Sequence, residues 1–397
     1  MSFYLLCKVL FSRKVVTGLL LLQLALTLAL LLNSVLLMQQ TNRQLKQPTG
    51  LDLHNTLLVQ LKPTTSSLRV YPALEELFTR QLQAVQSIPG VLAAAYTNQS
   101  AILQGGNNGN IYDVEHQDRT NVPAVPMYYV SKDFFTVLNT SVLQGELPQN
   151  VVSLDDPGRP AVVLTKSLAD KLFPDKSAVG QEVNRGRVAA VIDDFYGQRS
   201  AQNVMYNGIQ VALPYTVDWG YSILVRTAPE QTEAVRQQLD QVIRKVEPNI
   251  EIFYIRNLAE QYQRLYRTEY GLAMLLGILS GLMLLVTMVS SYSSTHFHAL
   301  KRQQEIGVKR ALGASKNSIL LELLSENWLC TAIGASIGVV LALLLNQALA
   351  QVITIPPLNW YLPLTTIVTL LLCVTVATWY PAAIATRVSP ATATKAL

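Results

Sequence analysis

VVTGLLLLQLALTLALLLNSVLLM, residues 15–38, holds 24 consecutive positions without a charged side chain. As a helix it is about 36 Å long, enough to cross the roughly 30 Å hydrocarbon core of a bilayer. Three further runs share this character: Tyr270–Ser293, Asn327–Leu349 and Leu362–Tyr380, the last with Pro363 near its start. The first run is too long for the apolar core of a signal peptide, and no A-x-A cleavage site follows it. It therefore reads as a retained anchor. The expected architecture is four spanning helices, with one long polar stretch between the first and the second.

Composition supports a mixture of this kind. Of the 397 residues, 50 % are hydrophobic and 14 % charged, and the mean hydropathy is +0.26. A soluble domain carries roughly 25 % charge, and disorder needs low hydrophobicity with high net charge. Both classes are excluded. The formal charge of +5 and pI near 9.0 would suit a nucleic-acid binder, but its distribution does not. Residues 40–265 hold 20 basic and 22 acidic side chains, whereas the rest of the chain holds 11 basic and 4 acidic ones. Most of those 11 flank the apolar runs, as the positive-inside rule describes. No nucleic-acid partner is expected.

The flanks also give a topology. Lys8, Arg13 and Lys14 place residues 1–14 in the cytoplasm. Segment 294–318 carries Lys301, Arg302, Lys309, Arg310 and Lys316 against a single acid, Glu305. It too reads as cytoplasmic, as does 381–397 with Arg387 and Lys395. The uncharged loop 350–361 and the stretch 39–269 fall outside. Cys7, Cys330 and Cys373 lie away from that outer stretch, which therefore has no disulfide framework.

The outer stretch shows the same unit twice. LLVQLK (57–62) reads as a strand, followed by a helix near 72–87 with Leu74, Leu77, Phe78, Leu82 and Val85 at helical spacing. Pro89-Gly90 ends it and VLAAAYT (91–97) is a second strand. YSILVRT (221–227), a helix at 229–246 and IEIFYI (250–255) repeat the pattern. The simplest arrangement puts the two units (about 55–97 and 221–255) together, with a β-rich insert of about 100–215 between them. The run GGNNGN (105–110) reads as a loop, because a phosphate cradle needs a strand before it and a helix after it. Residues 257–269 have helical spacing at Leu258, Tyr262, Leu265 and Tyr266. They are expected to continue the second spanning helix outward as a stalk, and 39–47 to do the same for the first.

Catalytic chemistry is missing. The dipeptide Gly-Lys does not occur, so no P-loop can bind ATP. His296 and His298 are close in sequence, but one H-x-H at a membrane edge is weak evidence for a metal site. Asp193-Asp194 reads as a turn after VAAVI. Glu322 and Glu326 are the acids near the third span. Glu326 is a possible functional acid, weighed against plain stabilisation of a carboxylate near a helix N-terminus. GxxxG spacings at Gly277/Gly281 and Gly334/Gly338 suit close packing of membrane helices. No catalytic, metal or cofactor site is expected in the chain.

The most informative stretch is KRQQEIGVKRALGASKNSIL (301–320). As one helix it would put Val308, Ala311, Leu312, Ser315 and Ile319 on one face, and Arg302, Glu305, Lys309 and Lys316 on another. Glu305 and Lys309 are spaced i,i+4. A basic amphipathic helix between two spans can rest on membrane lipid or dock into a groove of a cytosolic partner.

EIGVKRALGAS resembles the cytoplasmic loop of FtsX-like ABC transporter permeases of the MacB type, within the type VII superfamily. YPAAIATRVSP near the end resembles the family's C-terminus. VSKDFFTVLNTSVLQGE (130–146), VVLTKSLADKLFPDKSAVGQEV (162–183) and AAVIDDF (189–195) resemble its periplasmic core. The resemblance implies an α-helical membrane protein with four transmembrane helices and a large α+β periplasmic domain between the first two. It implies that Glu305, Ile306, Gly307, Val308, Arg310, Ala311, Leu312, Gly313 and Ala314 couple to an ATPase. The chain would be a non-catalytic permease subunit without a fused ATPase domain, with ATP and Mg bound by a separate ABC ATPase dimer. A second permease copy or related permease, a periplasmic adaptor (membrane fusion protein) and a TolC-like outer-membrane channel would complete an exporter of peptide, antibiotic or toxin. Lipoprotein release and regulation of a cell-wall hydrolase are the alternative roles.

Overall fold

The computed structural model describes residues 14–153, 158, 160–349 and 360–387. Residues 1–13, expected to be cytoplasmic, most of the expected outer loop 350–361, residues 388–397, and residues 154–157 and 159 lie outside the described residues. The helices used below are, in chain order, α1 (Lys14–Leu45), α2 (Ala73–Gln86), α3 (Phe134–Leu138), α4 (Lys166–Leu172), α5 (Thr232–Val246), α6 (Leu258–Leu265), α7 (Arg267–Lys301), α8 (Gln303–Ala311), α9 (Lys316–Leu349) and α10 (Tyr361–Ala385). The strands are β1 (Thr56–Pro63), β2 (Val91–Thr97), β3 (Asn108–Ile111), β4 (Val122–Val130), β5 (Val142–Gly145), β6 (Val152–Ser153), β7 (Ala161–Thr165), β8 (Glu182–Val183), β9 (Gly186–Ile192), β10 (Gly208–Leu213), β11 (Tyr221–Thr227) and β12 (Ile250–Asn257). The chain divides into a helical unit, built from α1 and α7–α10, and an α/β unit, Gln47–Leu265.

Among the described residues, α1, α7, α9 and α10 are long and apolar enough to cross a membrane. Helical backbone satisfies its own polar groups, which is what permits such a path through hydrocarbon. Helix α1 packs against α7 and α9, and α10 packs against the same two. Small residues set the closest crossing. A Cβ on Gly338 would come within 2.9 Å of the Ala25 carbonyl oxygen, and one on Gly334 within 2.7 Å of Leu24 Cβ. A Cβ on Gly277 would meet Ser34 Oγ at 3.2 Å, but Gly281 opens onto empty space. Within this chain, then, Gly281 does not take part in the packing expected of it, because its face of α7 is turned away from the other helices.

Polar side chains tie the apolar helices together. Asn33 donates to the Ala342 carbonyl at 3.1 Å, Thr27 and Thr287 hydroxyls lie 3.1 Å apart, and Trp328 Nε1 donates to Thr375 Oγ1 at 2.9 Å.

The helices overrun the apolar segments in three places. α1 continues to Leu45, α9 begins at Lys316, well before Asn327, and α10 passes through Pro381 to Ala385. The second stalk differs from its expected form. α6 stops at Leu265 and α7 starts at Arg267, with Tyr266 (φ −107°, ψ 7°) outside helical geometry. Helical spacing continues through that point, but the backbone does not.

In the α/β unit the two strand–helix–strand units share one sheet. Strand order runs β12-β1-β11-β2-β4-β10-β7-β9-β5. The first four are antiparallel and arise from β1-α2-β2 and β11-α5-β12, a split βαβ arrangement. Their alternating residues meet α2 and α5: Leu57, Val59 and Leu61 of β1, Tyr221, Ile223 and Val225 of β11, Leu77 and Phe78 of α2, and Val235, Leu239 and Ile243 of α5 form one core. The period-2 and period-3.6 patterns thus converge on the same apolar layer.

The insert continues the sheet and has a core of its own, with Val162, Leu164, Leu168, Leu172, Val188 and Val191. It pairs β4 with β10 and β7 with β9 in parallel, and the short helices α3 and α4 lie within it. The run 105–110 is only partly a loop. Asn108–Ile111 forms β3 against β4, since the edge of β4 offers its backbone a ladder.

Candidate functional site

Segment 301–320 is not one helix. α8 ends at Ala311 and α9 begins at Lys316, and the residues between them form two capping motifs. The amide of Gly313 donates to the Arg310 carbonyl and that of Ala314 to the Lys309 carbonyl, with Gly313 at φ +94°. This is a Schellman stop, which needs a residue that tolerates the left-handed region. Ser315 Oγ then accepts the amide of Ser318 at 3.2 Å, capping the start of α9. Gly-Ala-Ser is therefore a stop followed by a start, a signal legible in principle and overridden here by the amphipathic spacing across it.

The break changes which residues are buried. Ile306 and Gly307 turn inward, and Ile306 packs with Ala299, Ile319, Leu323, Ala382 and Ala385. The face expected to hold Val308, Ala311, Leu312, Ser315 and Ile319 together is split: Ile319 is buried, while Leu312 is 83 % and Val308 55 % exposed. Ala311, Gly313 and Ser315 are also exposed, and Ala314 is half-buried. The tip of the helix–turn–helix presents an apolar surface bounded by polar groups.

Ion pairs hold α8 against α9. Arg302 Nη1 lies 2.5 Å from Glu326 Oε1, with side-chain exposures of 19 % and 11 %. Lys309 Nζ lies 2.8 Å from Glu322 and 3.1 Å from Glu305, so the i,i+4 pair is formed. Arg302 also approaches Glu305 at 3.8 Å. Burial pulls the Arg302 guanidinium down, but the Glu326 hydrogen bond and the surrounding carboxylates outweigh it and hold it above its ordinary value. For Lys309 burial likewise pulls down and is outweighed by Glu322 and Glu305, for a net rise. Arg310 donates to the Ala314 carbonyl at 3.4 Å, across the turn.

Glu326 is thus placed for a reason the sequence did not disclose. It sits well inside α9, which starts at Lys316, beyond the reach of a helix N-terminus. Its partner is the guanidinium at the end of α7.

The other titratable candidates have structural roles. Asp194 accepts from the amide of Ser167 at 2.8 Å and from its hydroxyl, fixing the start of α4. His296 stacks on Tyr292. One cluster escaped the sequence reading, Asp113, Glu115 and His116, whose ligand atoms lie within 4.8 Å of one another. Asp113 accepts from the Glu115 amide at 3.0 Å and contacts His116 Nδ1 at 3.1 Å. The Lys176 ammonium stands 3.8 Å from both acids and supplies the cluster's positive charge. Burial pushes the Asp113 carboxyl up, but His116, the Glu115 amide and Lys176 outweigh it and hold it below its ordinary value.

A family model described as the MacB-like periplasmic core domain matches residues 17–242, and one described as the FtsX-like permease C-terminal matches residues 277–390. The chain belongs to the MacB-like, FtsX-like family of ABC transporter permeases. Among curated relatives, the macrolide export ATP-binding/permease protein MacB of Marinobacter nauticus is 27 % identical over 271 residues, 66 % of this chain and 40 % of that protein. MacB of Salmonella choleraesuis is 26 % identical over 275 residues, 66 % of this chain and 42 % of that one. The uncharacterized ABC transporter permease YvrN of Bacillus subtilis is 21 % identical over 254 residues, covering 60 % of this chain and 61 % of YvrN. This permease thus spans about two fifths of the length of the MacB relatives. The crystal structure of the periplasmic region of MacB from Actinobacillus actinomycetemcomitans aligns with 56 % of this chain and 97 % of that one, at 14 % identity and a TM-score of 0.35.

Proposed function

We propose that this MacB-like permease transmits ATP-driven movement of a separate ABC ATPase to its α/β unit, powering export across the cell envelope. The observation that carries this reading is the α8 tip. Leu312 and Val308 are exposed at the end of α8, beside a turn that Gly313 and Ser315 shape and that ion pairs, the largely buried Arg302–Glu326 pair among them, tie to α7 and α9. A rigid apolar knob on a basic cytoplasmic loop suits a groove on a motor protein better than it suits solvent. ATP and Mg belong to that motor, and the permease does no bond chemistry.

On this reading the N- and C-termini and the α8 tip face the cytoplasm, and the α/β unit faces the periplasm of a bacterial inner membrane. A second permease copy or related permease, an adaptor and an outer-membrane channel complete the pathway for peptide, antibiotic or toxin.

Leu312→Glu tests the docking role. A charge at this exposed site leaves folding and membrane insertion intact, and it should abolish co-purification of the ATPase in mild detergent. Unchanged co-purification would contradict the reading.

A further inference from the structure

A cleft of about 620 Å³ opens within the α/β unit, inside the 300–1,000 Å³ range of small-ligand sites. One wall is the loop from Pro214 to Gly220. This loop is anchored: Val217 is buried in the core and its amide donates to the Arg69 carbonyl at 3.0 Å. On either side of this buried anchor the loop leaves Tyr215 56 % and Trp219 95 % exposed. Gly220, at φ +90°, lets the loop close against β1, where a Cβ would fall 2.5 Å from the Leu61 carbonyl oxygen. An aromatic pair held outward by a fixed backbone is costly to hydrate and loses little entropy on binding.

The opposite wall is polar and set in place. Gln99 donates to the Asn107 and Met127 carbonyls at 2.8 and 3.0 Å and accepts the Asn107 amide at 2.6 Å. The Asn98 carboxamide is held by Tyr129 and Met127 backbone. Three lining groups keep hydrogen-bonding capacity. Among the described residues, no protein atom pairs with the Asn107 carboxamide, the Tyr129 hydroxyl or the Gln60 amide nitrogen, although Gln60 Oε1 accepts from Ser222.

None of the described lining residues is charged. An anionic ligand would find no cation and a cationic one no carboxylate. A wholly apolar ligand would strip water from three hydrogen-bonding groups without replacing it. A pyranose ring meets both walls: its C–H face lies on an aromatic ring and its hydroxyls reach amides and a phenol. We propose that this cleft is a binding site for an uncharged oligosaccharide, one ring of which stacks on Trp219 while its hydroxyls bond Asn107, Tyr129 and Gln60.

The test uses the full chain in a detergent without a sugar headgroup. Triacetylchitotriose, maltotriose and a neutral tripeptide are titrated separately, with calorimetry and tryptophan fluorescence as readouts. Of the four tryptophans, only Trp219 lies in Gln47–Leu265. Saturable binding of at least one saccharide is expected at millimolar concentration. Trp219→Phe should remove its fluorescence change, Trp219→Ala should abolish binding, and Asn107→Ala should weaken it about fivefold, the value of one hydrogen bond. Absence of saturable binding by both sugars, equal binding of the tripeptide, or binding intact in Trp219→Ala would overturn the proposal.

Discussion

At the scale of single residues, the Arg302–Glu326 pair links the end of one apolar helix to the middle of another. Both side chains are largely withdrawn from water, and removing one partner leaves the other charge uncompensated. Arg302→Ala should therefore destabilise the helical unit by about 3–5 kcal/mol. Glu305→Ala, at an exposed pair, should cost under about 1 kcal/mol. Thermal unfolding in detergent separates the two; similar losses for both would show that burial does not set the strength of these pairs. Asp113 gives a pH dependence of definite sign. Its carboxyl is held below the ordinary value near 3.9, so its contribution is fully present above that value and fades as pH falls through the lowered one. Wild type should be more stable than Asp113→Asn at pH 6, and the gap should close as the pH falls below 4. A gap that persists would mean the ionised carboxylate is not what stabilises. Glu326 was visible in the sequence as an acid beside an apolar run. Its partner was not, because 24 residues separate Arg302 from Glu326 and only the fold of α8 brings them together.

At the scale of elements, the crossing of α1 and α9 depends on Gly334 and Gly338. Gly338→Leu drives a side chain into α1 backbone and should cost about 1–3 kcal/mol through overpacking. Gly281→Leu, which meets open space, should be nearly neutral in the monomer. The reverse order would contradict the packing described here. Apolar periodicity makes the four long helices and the repeated strand–helix–strand units readable in the sequence. It also misled twice. Across 312–315 and again at Tyr266, side-chain spacing carries on while the backbone leaves the helix. Glycine and serine at the first break were the available warning; at Tyr266 nothing in the local sequence marks the stop. The short β3 was hidden for the opposite reason, since Asn-Gly-rich sequence has weak strand preference and is paired by its neighbour β4.

At the scale of the whole molecule, charge asymmetry sorts the chain into basic flanks around apolar helices and a near-neutral α/β unit. In a background lacking Cys7, Cys330 and Cys373, a cysteine at Ser315 should react only from the cytoplasmic side and one at Asn108 only from outside. The reverse pattern would overturn the topology. Neither the cleft beside Trp219 nor the pairing of the insert with the flanking units could be seen in the sequence. Both arise from contacts between separate segments, β2 with β4 and the loop 214–220 with β1. On the proposed reading, the α8 tip is where a motor grips this permease. The most direct test is a photo-crosslinking amino acid at Leu312 in native membranes, followed by mass spectrometry of the adduct. A crosslink to an ABC ATPase is expected. Labelling of lipid alone, with no ATPase adduct, would contradict the reading.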